Sequence, residues 1–291
     1  MKVLVLGAGG MLGSACYQVF ADNEGFLTYG TLRTLEQIAT IPVGGGTLIP
    51  CVNALEFSQL AYVFEQCSPD VVINCVGIIK QLDSVKNLPL LIETNALLPH
   101  RLADLSNRYG ARFIHISTDC VFSGEKGMYK ESDVPDAADP YGRTKQLGET
   151  FASNAITLRT SIIGHEVKRA VSLVDWFLSQ RGSVKGYRRA IFSGLPSVEL
   201  ARVIRDYVIP DREMTGLYHV AAEPIAKFDL LGLVAKEYRS EANLVPDDTL
   251  VIDRSLDGRR FGERTGYVAA SWPTLVRSMR EHHGNTAARA A

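Results

Sequence analysis

The sequence predicts an α/β protein with a doubly wound parallel sheet and a smaller C-terminal lobe. Three observations lead there. The chain opens on a short apolar run, Lys2 to Leu6, which passes directly into a glycine turn and a helical pattern. Apolar runs of strand length then alternate with helical patterns, so that five strands fit within about 115 residues, as right-handed crossovers require. Beyond Gly164 this rhythm breaks, and a segment richer in lysine and arginine follows.

The bulk properties narrow the class. With 291 residues, 46% of them apolar, the chain can bury a sizeable core. Its 31 basic and 32 acidic residues form no basic stripe, so no nucleic-acid partner is expected. Five cysteines without a Cys-x-x-Cys pair read as reduced thiols of a cytoplasmic protein. The N-terminus enters a strand at once, without the apolar region and cleavage site of a signal peptide, and no apolar run is long enough to predict a membrane span. No metal site is expected, since His282 and His283 lie in a polar tail without acidic or cysteine neighbours.

Lys2 to Leu6 has the valine and leucine content of a strand buried on both faces. Gly7, Gly10 and Gly13 follow as G-x-x-G-x-x-G, leading into a helix over Ser14 to Ala21. Their missing side chains let a pyrophosphate approach backbone N–H groups at the positive helix end, which is the dinucleotide fingerprint of a Rossmann-type sheet. Phe26 to Leu32 is the second strand, and Arg33 stands at its end where an acidic residue would favour NAD. Arginine can pair with a 2′-phosphate, so NADPH is the expected cofactor; a merely solvated arginine is the competing reading.

Thr47 to Val52, a helix over Glu56 to Gln66, and a strand over Asp70 to Cys75 continue the alternation. The turn after that strand, Val76 to Lys80, leaves the carboxyl edge of the sheet, where open parallel sheets bind ligands. Gly77 is therefore a candidate for the cofactor and Lys80 for the substrate, although Lys80 could equally be a solvated loop lysine. Pro89 to Arg108 reads as one long amphipathic helix carrying Asn95, and Ala111 to Ser117 as the fifth strand.

That strand delivers Ser117, Thr118 and Asp119, and Tyr141 stands four residues ahead of Lys145. Asp139-Pro140 predicts a helix start, with Tyr141 in its first turn and Lys145 one turn on. A free tyrosine has a pKa near 10; lowering it by about three units takes roughly 4 kcal/mol of charge stabilisation, which a lysine ammonium and an oxidised nicotinamide can share. Thr118 would hydrogen-bond a substrate carbonyl as charge develops on its oxygen.

These motifs, with Ser117-Thr118-Asp119-Cys120-Val121-Phe122-Ser123-Gly124, Gly148-Glu149 and Leu158-Arg159-Thr160-Ser161, resemble the extended short-chain dehydrogenase/reductases. Within them the chain looks like the dTDP-4-dehydrorhamnose reductase group, densely over residues 1 to 165 and more thinly through Glu199, Gly216 to Val220 and the segment around Arg254 and Asp257. The resemblance implies NADPH-dependent reduction of a 4-keto group on a nucleotide-linked 6-deoxy sugar, with Thr118, Tyr141 and Lys145 as the triad. It also implies that Met11, Leu12, Asn53, Val76, Gly77, Asn95 and Thr160 lie near the cofactor, and Asp119 and Cys120 near the sugar.

Three departures fall on ligand-facing positions: Cys120 where that group has tyrosine, Val76 to Gln81 in place of an alanine-rich turn, and Asn53 in place of an aspartate. The implied organisation is a cofactor domain over residues 1–165 and about 195–222, with a lobe over 166–194 and 223–291. Within the basic segment from Lys168 to Arg189, Lys185 and Arg189 are the expected contacts for a nucleotide-diphosphate sugar. A homodimer is the assembly to test for. Two other readings stay open on the same motifs: an epimerase or dehydratase with bound NAD, against which Arg33 and the Asp119-Cys120 pair argue, and a silent NADP-binding partner resembling the methionine adenosyltransferase regulatory subunit.

Overall fold

The computed structural model describes residues 1–42, 44–80, 83–167 and 172–290; Gln81 and Lys168 therefore lie outside the described residues. A seven-stranded parallel sheet forms the centre. Its strands are β1 (Lys2–Leu6), β2 (Leu27–Thr31), β3 (Thr47–Ile49), β4 (Val71–Asn74), β5 (Arg112–Thr118), β6 (Ala155–Thr160) and β11 (Gly216–His219), in the order β11-β6-β5-β4-β1-β2-β3. The order reverses between β1 and β4, so the loops leaving these two strands diverge and open a crevice at the carboxyl edge.

Side-chain alternation explains why this sheet is covered twice. Val3, Val5, Ile73, Ile114 and Leu158 face a core that includes helices α1 (Met11–Ala21) and α7 (Ser197–Val203). Leu4, Leu6, Val72 and Phe113 face a second core against α2 (Phe57–Cys67) and α4 (Leu98–Arg108). Successive strand residues point to opposite faces, so continuous apolar runs are required and are found. The doubly wound parallel fold read from the sequence is the fold observed.

Two helical stretches depart from simple expectation. The segment read as one helix from Pro89 is α3 (Leu88–Leu91), a π-helical turn (Ile92–Leu97) and α4. A similar π turn, Ile204–Val208, extends α7. The polar tail that carries His282 and His283 is helical, as part of α10 (Trp272–Ala290). Leu275, Val276 and Met279 bury its first turns, and a helix anchored in that way propagates through alanine at little cost.

The remaining elements make up the lobe and its joins. They are α5 (Pro140–Leu147), β7 (Ile162–Ile163), α6 (Leu173–Ser179), β8 (Ser183–Tyr187), β9 (Ala190–Phe192), β10 (Leu195–Pro196), β12 (Ile225–Ala226), α8 (Lys227–Tyr238), β13 (Asn243–Asp247), β14 (Ile252–Asp253) and α9 (Arg259–Thr265). Strands β8 and β13 pair in parallel, β9 lies between β12 and β14, and β7 pairs with β10. The loop over Phe122 to Asp139 is fastened to this region: Asp253 N–H donates to Gly124 O (2.7 Å), Tyr129 N–H to Ser255 O (2.8 Å) and Asp257 N–H to Tyr129 O (2.7 Å). No helix among the described residues is long and apolar enough to cross a membrane.

Candidate active site

Strand β5 and helix α5 bring the catalytic candidates together. Asp139 caps α5 by accepting from Gly142 N–H at 3.0 Å, and Pro140 fills the first helical position, where its missing N–H costs nothing. This start sets Tyr141 and Lys145 one turn apart. Gly142 is needed for the docking, because a Cβ there would lie 2.2 Å from Cys120 O and 2.5 Å from Ala137 Cβ.

The Thr118 hydroxyl donates to Asp119 Oδ1 (3.1 Å) and accepts from Cys120 N–H (3.1 Å), which closes a tight turn at the end of β5. Burial raises the Tyr141 phenol above its ordinary value, as does the neighbouring Cys120, while the Thr118 hydroxyl works against them. The Cys120 thiol is pushed up to about 12 by burial and by Asp119. Lys145 is 7% exposed and donates to Ile116 O at 2.7 Å; burial lowers its ammonium to about 8, against the pull of Glu149. Burial also raises the Asp119 carboxyl, opposed by Cys120, Arg254, Thr118 and Lys227.

Behind these residues lies a buried charge network. Arg159 holds Glu149 with both Nε (2.6 Å) and a terminal nitrogen (2.7 Å), and Ser117 Oγ donates to the same carboxylate at 2.7 Å. His219 faces Tyr129 O through Nδ1 (2.9 Å) and Arg159 through Nε2 (3.4 Å). Burial and the Arg159 charge lower the His219 imidazole to about 4.

At the crevice, Gly7 adopts φ +81°, and a Cβ on Gly13 would lie 2.0 Å from Gly7 O, so both positions require glycine. The N-terminus of α1 has no side-chain cap, and among the described residues nothing fills the space over Gly10 more closely than Gly7 O, 3.6 Å from an added Cβ. Uncapped N–H groups beneath an open glycine surface fit a pyrophosphate. Met11 lies against Gly164, Leu12 is buried, and Val76 packs on Gly7 while its N–H donates to Asn74 Oδ1 at 3.1 Å. Arg33 is exposed at the rim beyond β2.

Other candidates have partners within the protein. Asn95 accepts from Ile78 N–H (2.8 Å) and donates to Ile78 O (2.9 Å), so it shapes the loop that carries Gly77. Asn53 accepts from Leu55 N–H (3.1 Å) ahead of α2, and Thr160 donates to Ser161 O (3.2 Å). Lys80 pairs with Asp139 at 3.0 Å and braces the start of α5. Lys185 pairs with Asp247 at 3.1 Å across β8 and β13, and Arg189 is exposed between β8 and β9. The cations that act on Asp119 are instead Arg254 and Lys227. Arg254 donates to Phe122 O (2.8 Å) and lies 3.8 Å from Cys120 Sγ. No spacing near the catalytic motif announces Arg254, because it arrives from more than a hundred residues away.

The family described as the RmlD substrate binding domain matches residues 1–251. The chain belongs to that family. Among its relatives, methionine adenosyltransferase 2 subunit beta of Bos taurus is 30% identical over 307 aligned positions, covering 94% of this chain and 88% of that protein. The dTDP-4-dehydrorhamnose reductase of Aggregatibacter actinomycetemcomitans is 24% identical over 241 positions, covering 77% and 74%. In fold, this RmlD-family chain superimposes on dTDP-4-dehydrorhamnose reductase from Bacillus anthracis, solved in complex with NADP, with a TM-score of 0.80, 22% identity and coverage of 97% and 99%. The resemblance to extended short-chain dehydrogenase/reductases read from the motifs is borne out.

Proposed function

We propose that this protein catalyses NADPH-dependent reduction of the 4-keto group of a nucleotide-linked (dTDP- or UDP-) 6-deoxy sugar, as a cytoplasmic step in building cell-surface polysaccharide. The observation that carries this reading is the meeting of Thr118, Tyr141 and Lys145 at the end of β5, beside the crevice of the sheet. The NADP complex of the Bacillus anthracis reductase supports the cofactor, and Arg33 at the rim supports the 2′-phosphate. In this reading residues 1–165 and about 195–222 hold the cofactor, and 166–194 with 223–291 hold the sugar nucleotide.

Gly7, Gly10 and Gly13 and the start of α1 would hold the pyrophosphate. When bound, the dihydronicotinamide supplies hydride to C4 of the sugar. The protein supplies the proton. A phenol held above its ordinary pKa stays protonated at neutral pH, so Tyr141 enters the reaction as a donor and gives its proton to the carbonyl oxygen. Lys145, one turn further along α5 and bonded to Ile116 O, would stabilise the phenolate that remains. Thr118 holds the substrate oxygen in line with Tyr141.

Incubating the protein with NADPH and a panel of dTDP-, UDP- and GDP-4-keto sugars, and following loss of NADPH absorbance, tests the proposal. Turnover that disappears in Tyr141→Phe while NADPH binding persists is the expected result. A second reading, a non-catalytic NADP-binding regulatory subunit, is favoured by the 30% identity with the Bos taurus subunit beta over 94% of the chain. NADPH binding without turnover on any sugar would select it and overturn the first.

A further inference from the structure

The crevice contains a residue that neither the glycine motif nor Arg33 announces. Gln37 lies in the 3₁₀ turn Leu35–Thr40 just beyond β2. The end of β2 is stitched to the glycine turn: Gly7 N–H donates to Thr31 Oγ1 (3.0 Å) and Ala8 N–H to Thr31 O (2.9 Å). The side chain of Gln37 therefore comes back over the glycines. Its Oε1 accepts from two backbone donors at once, Arg33 N–H (2.8 Å) and Thr34 N–H (3.1 Å). Its Nε2 lies over Gly9, only 2.4 Å from where a Cβ on that residue would be.

The two N–H bonds settle which end of the carboxamide is which. A nitrogen placed where Oε1 stands would set its own hydrogens against two N–H groups, so the oxygen must face the backbone. The –NH2 end is then a fixed pair of donors aimed over the glycine turn. Among the described residues no acceptor for it is found, and the exposed side chain of Arg33, at the same end of β2, has no ion-pair partner there. A carboxamide –NH2 fixed over the glycine turn and an arginine at the same rim, both open to a crevice that fits a dinucleotide, suit an anionic oxygen better than a hydroxyl. A ribose 2′-hydroxyl is instead best recognised by an acceptor such as a carboxylate.

We propose that Gln37 is a cofactor-specificity residue, donating from Nε2 to the 2′-phosphate of NADPH alongside Arg33. The inference rests on the NADPH reading above and names a second residue that enforces it. Glutamate at this position is the informative change. It is nearly the same size and keeps an oxygen on the Arg33 and Thr34 N–H groups, but replaces the outward donors with an anionic oxygen. That oxygen would repel a phosphate and could accept from a ribose hydroxyl.

Titrating NADP+ and NAD+ into wild type, Gln37→Glu, Gln37→Met and Arg33→Ala, with thermal melting to confirm folding, tests it. The expected result is an NADP+ dissociation constant raised about tenfold or more in Gln37→Glu, with NAD+ binding unchanged or tighter, and a smaller NADP+ loss in Gln37→Met. Equal weakening of both dinucleotides, or wild-type preference for NADP+ in both Gln37 variants, would overturn the inference. If Arg33→Ala alone abolishes the preference, the NADPH reading stands without Gln37; if the wild type binds both dinucleotides equally, the NADPH reading itself fails.

Discussion

Lys145 shows how one buried side chain can trade stability for chemistry. Its ammonium is lowered from the usual lysine value to about 8 because burial penalises the charge more than Glu149 and Ile116 O compensate it. The folded protein therefore holds this proton less tightly than the unfolded chain does. Stability lost to the buried charge is present in full below about pH 8 and is recovered as pH rises from 8 towards the unfolded value near 10.4. Replacing Lys145 by methionine should stabilise the protein at pH 7 by on the order of 2–3 kcal/mol while abolishing turnover, less whatever the orphaned Ile116 carbonyl costs. Melting curves at pH 7 and pH 9.5 check this. The advantage of the variant must shrink at the higher pH, and an unchanged gap would mean that burial of the charge is not its source. None of this is visible in the spacing of Tyr141 and Lys145, which identifies the pair but not the cost of burying the amine.

At the scale of elements, the geometry depends on how closely α5 approaches the end of β5. The contact between Gly142 and Cys120 O leaves no room for a methyl group, and Gly148 is equally close to Asn95 O, 2.0 Å from an added Cβ. Helix α5 is thus seated at both ends on backbone, which cannot move aside as a flexible side chain would. Gly142→Ala should push the helix off the Thr118–Cys120 turn, destabilise the protein by about 1–3 kcal/mol and reduce kcat at least roughly tenfold, with dinucleotide affinity kept because the glycine turn after β1 is untouched. Parallel measurements of Tm, kcat and NADPH binding decide it; a kcat equal to wild type would show that Tyr141 tolerates a shifted helix. The sequence makes α5 legible through Asp139-Pro140 at its start. It does not reveal the π turn Ile92–Leu97 that faces it, because the phase shift that one extra residue gives the apolar stripe cannot be read over the single turn of α3 ahead of it.

Across the whole molecule, legibility follows burial by both faces of a sheet. Strands β1, β4 and β5 are apolar runs because helices cover both sides, and the doubly wound parallel class could be read from them and the glycine turn. The lobe has short strands with mixed faces, such as β8 and β13, so its pairing and the ion pair between Lys185 and Asp247 had no sequence signature. The same is true of the joints between distant segments, and His219 is the most consequential of them. From the last strand of the central sheet it contacts Tyr129 O, in the loop over the site, and Arg159, the partner of Glu149. With Nδ1 donating to a carbonyl, Nε2 is left as an acceptor facing a guanidinium, so a second proton there is opposed by charge as well as by burial. The imidazole is consequently lowered to about 4. An unfolded chain takes up this proton near pH 6.5, whereas the folded chain resists it until about pH 4; the group's contribution is therefore complete above 6.5 and is lost as pH falls through that window. The loss amounts to roughly 3 kcal/mol. Glutamine at this position can hydrogen-bond without titrating, so the stability of wild type relative to His219→Gln should fall by about that amount between pH 7 and pH 4. Urea unfolding of both proteins at several pH values measures the difference directly, and parallel pH dependences would show that His219 carries no proton across the transition.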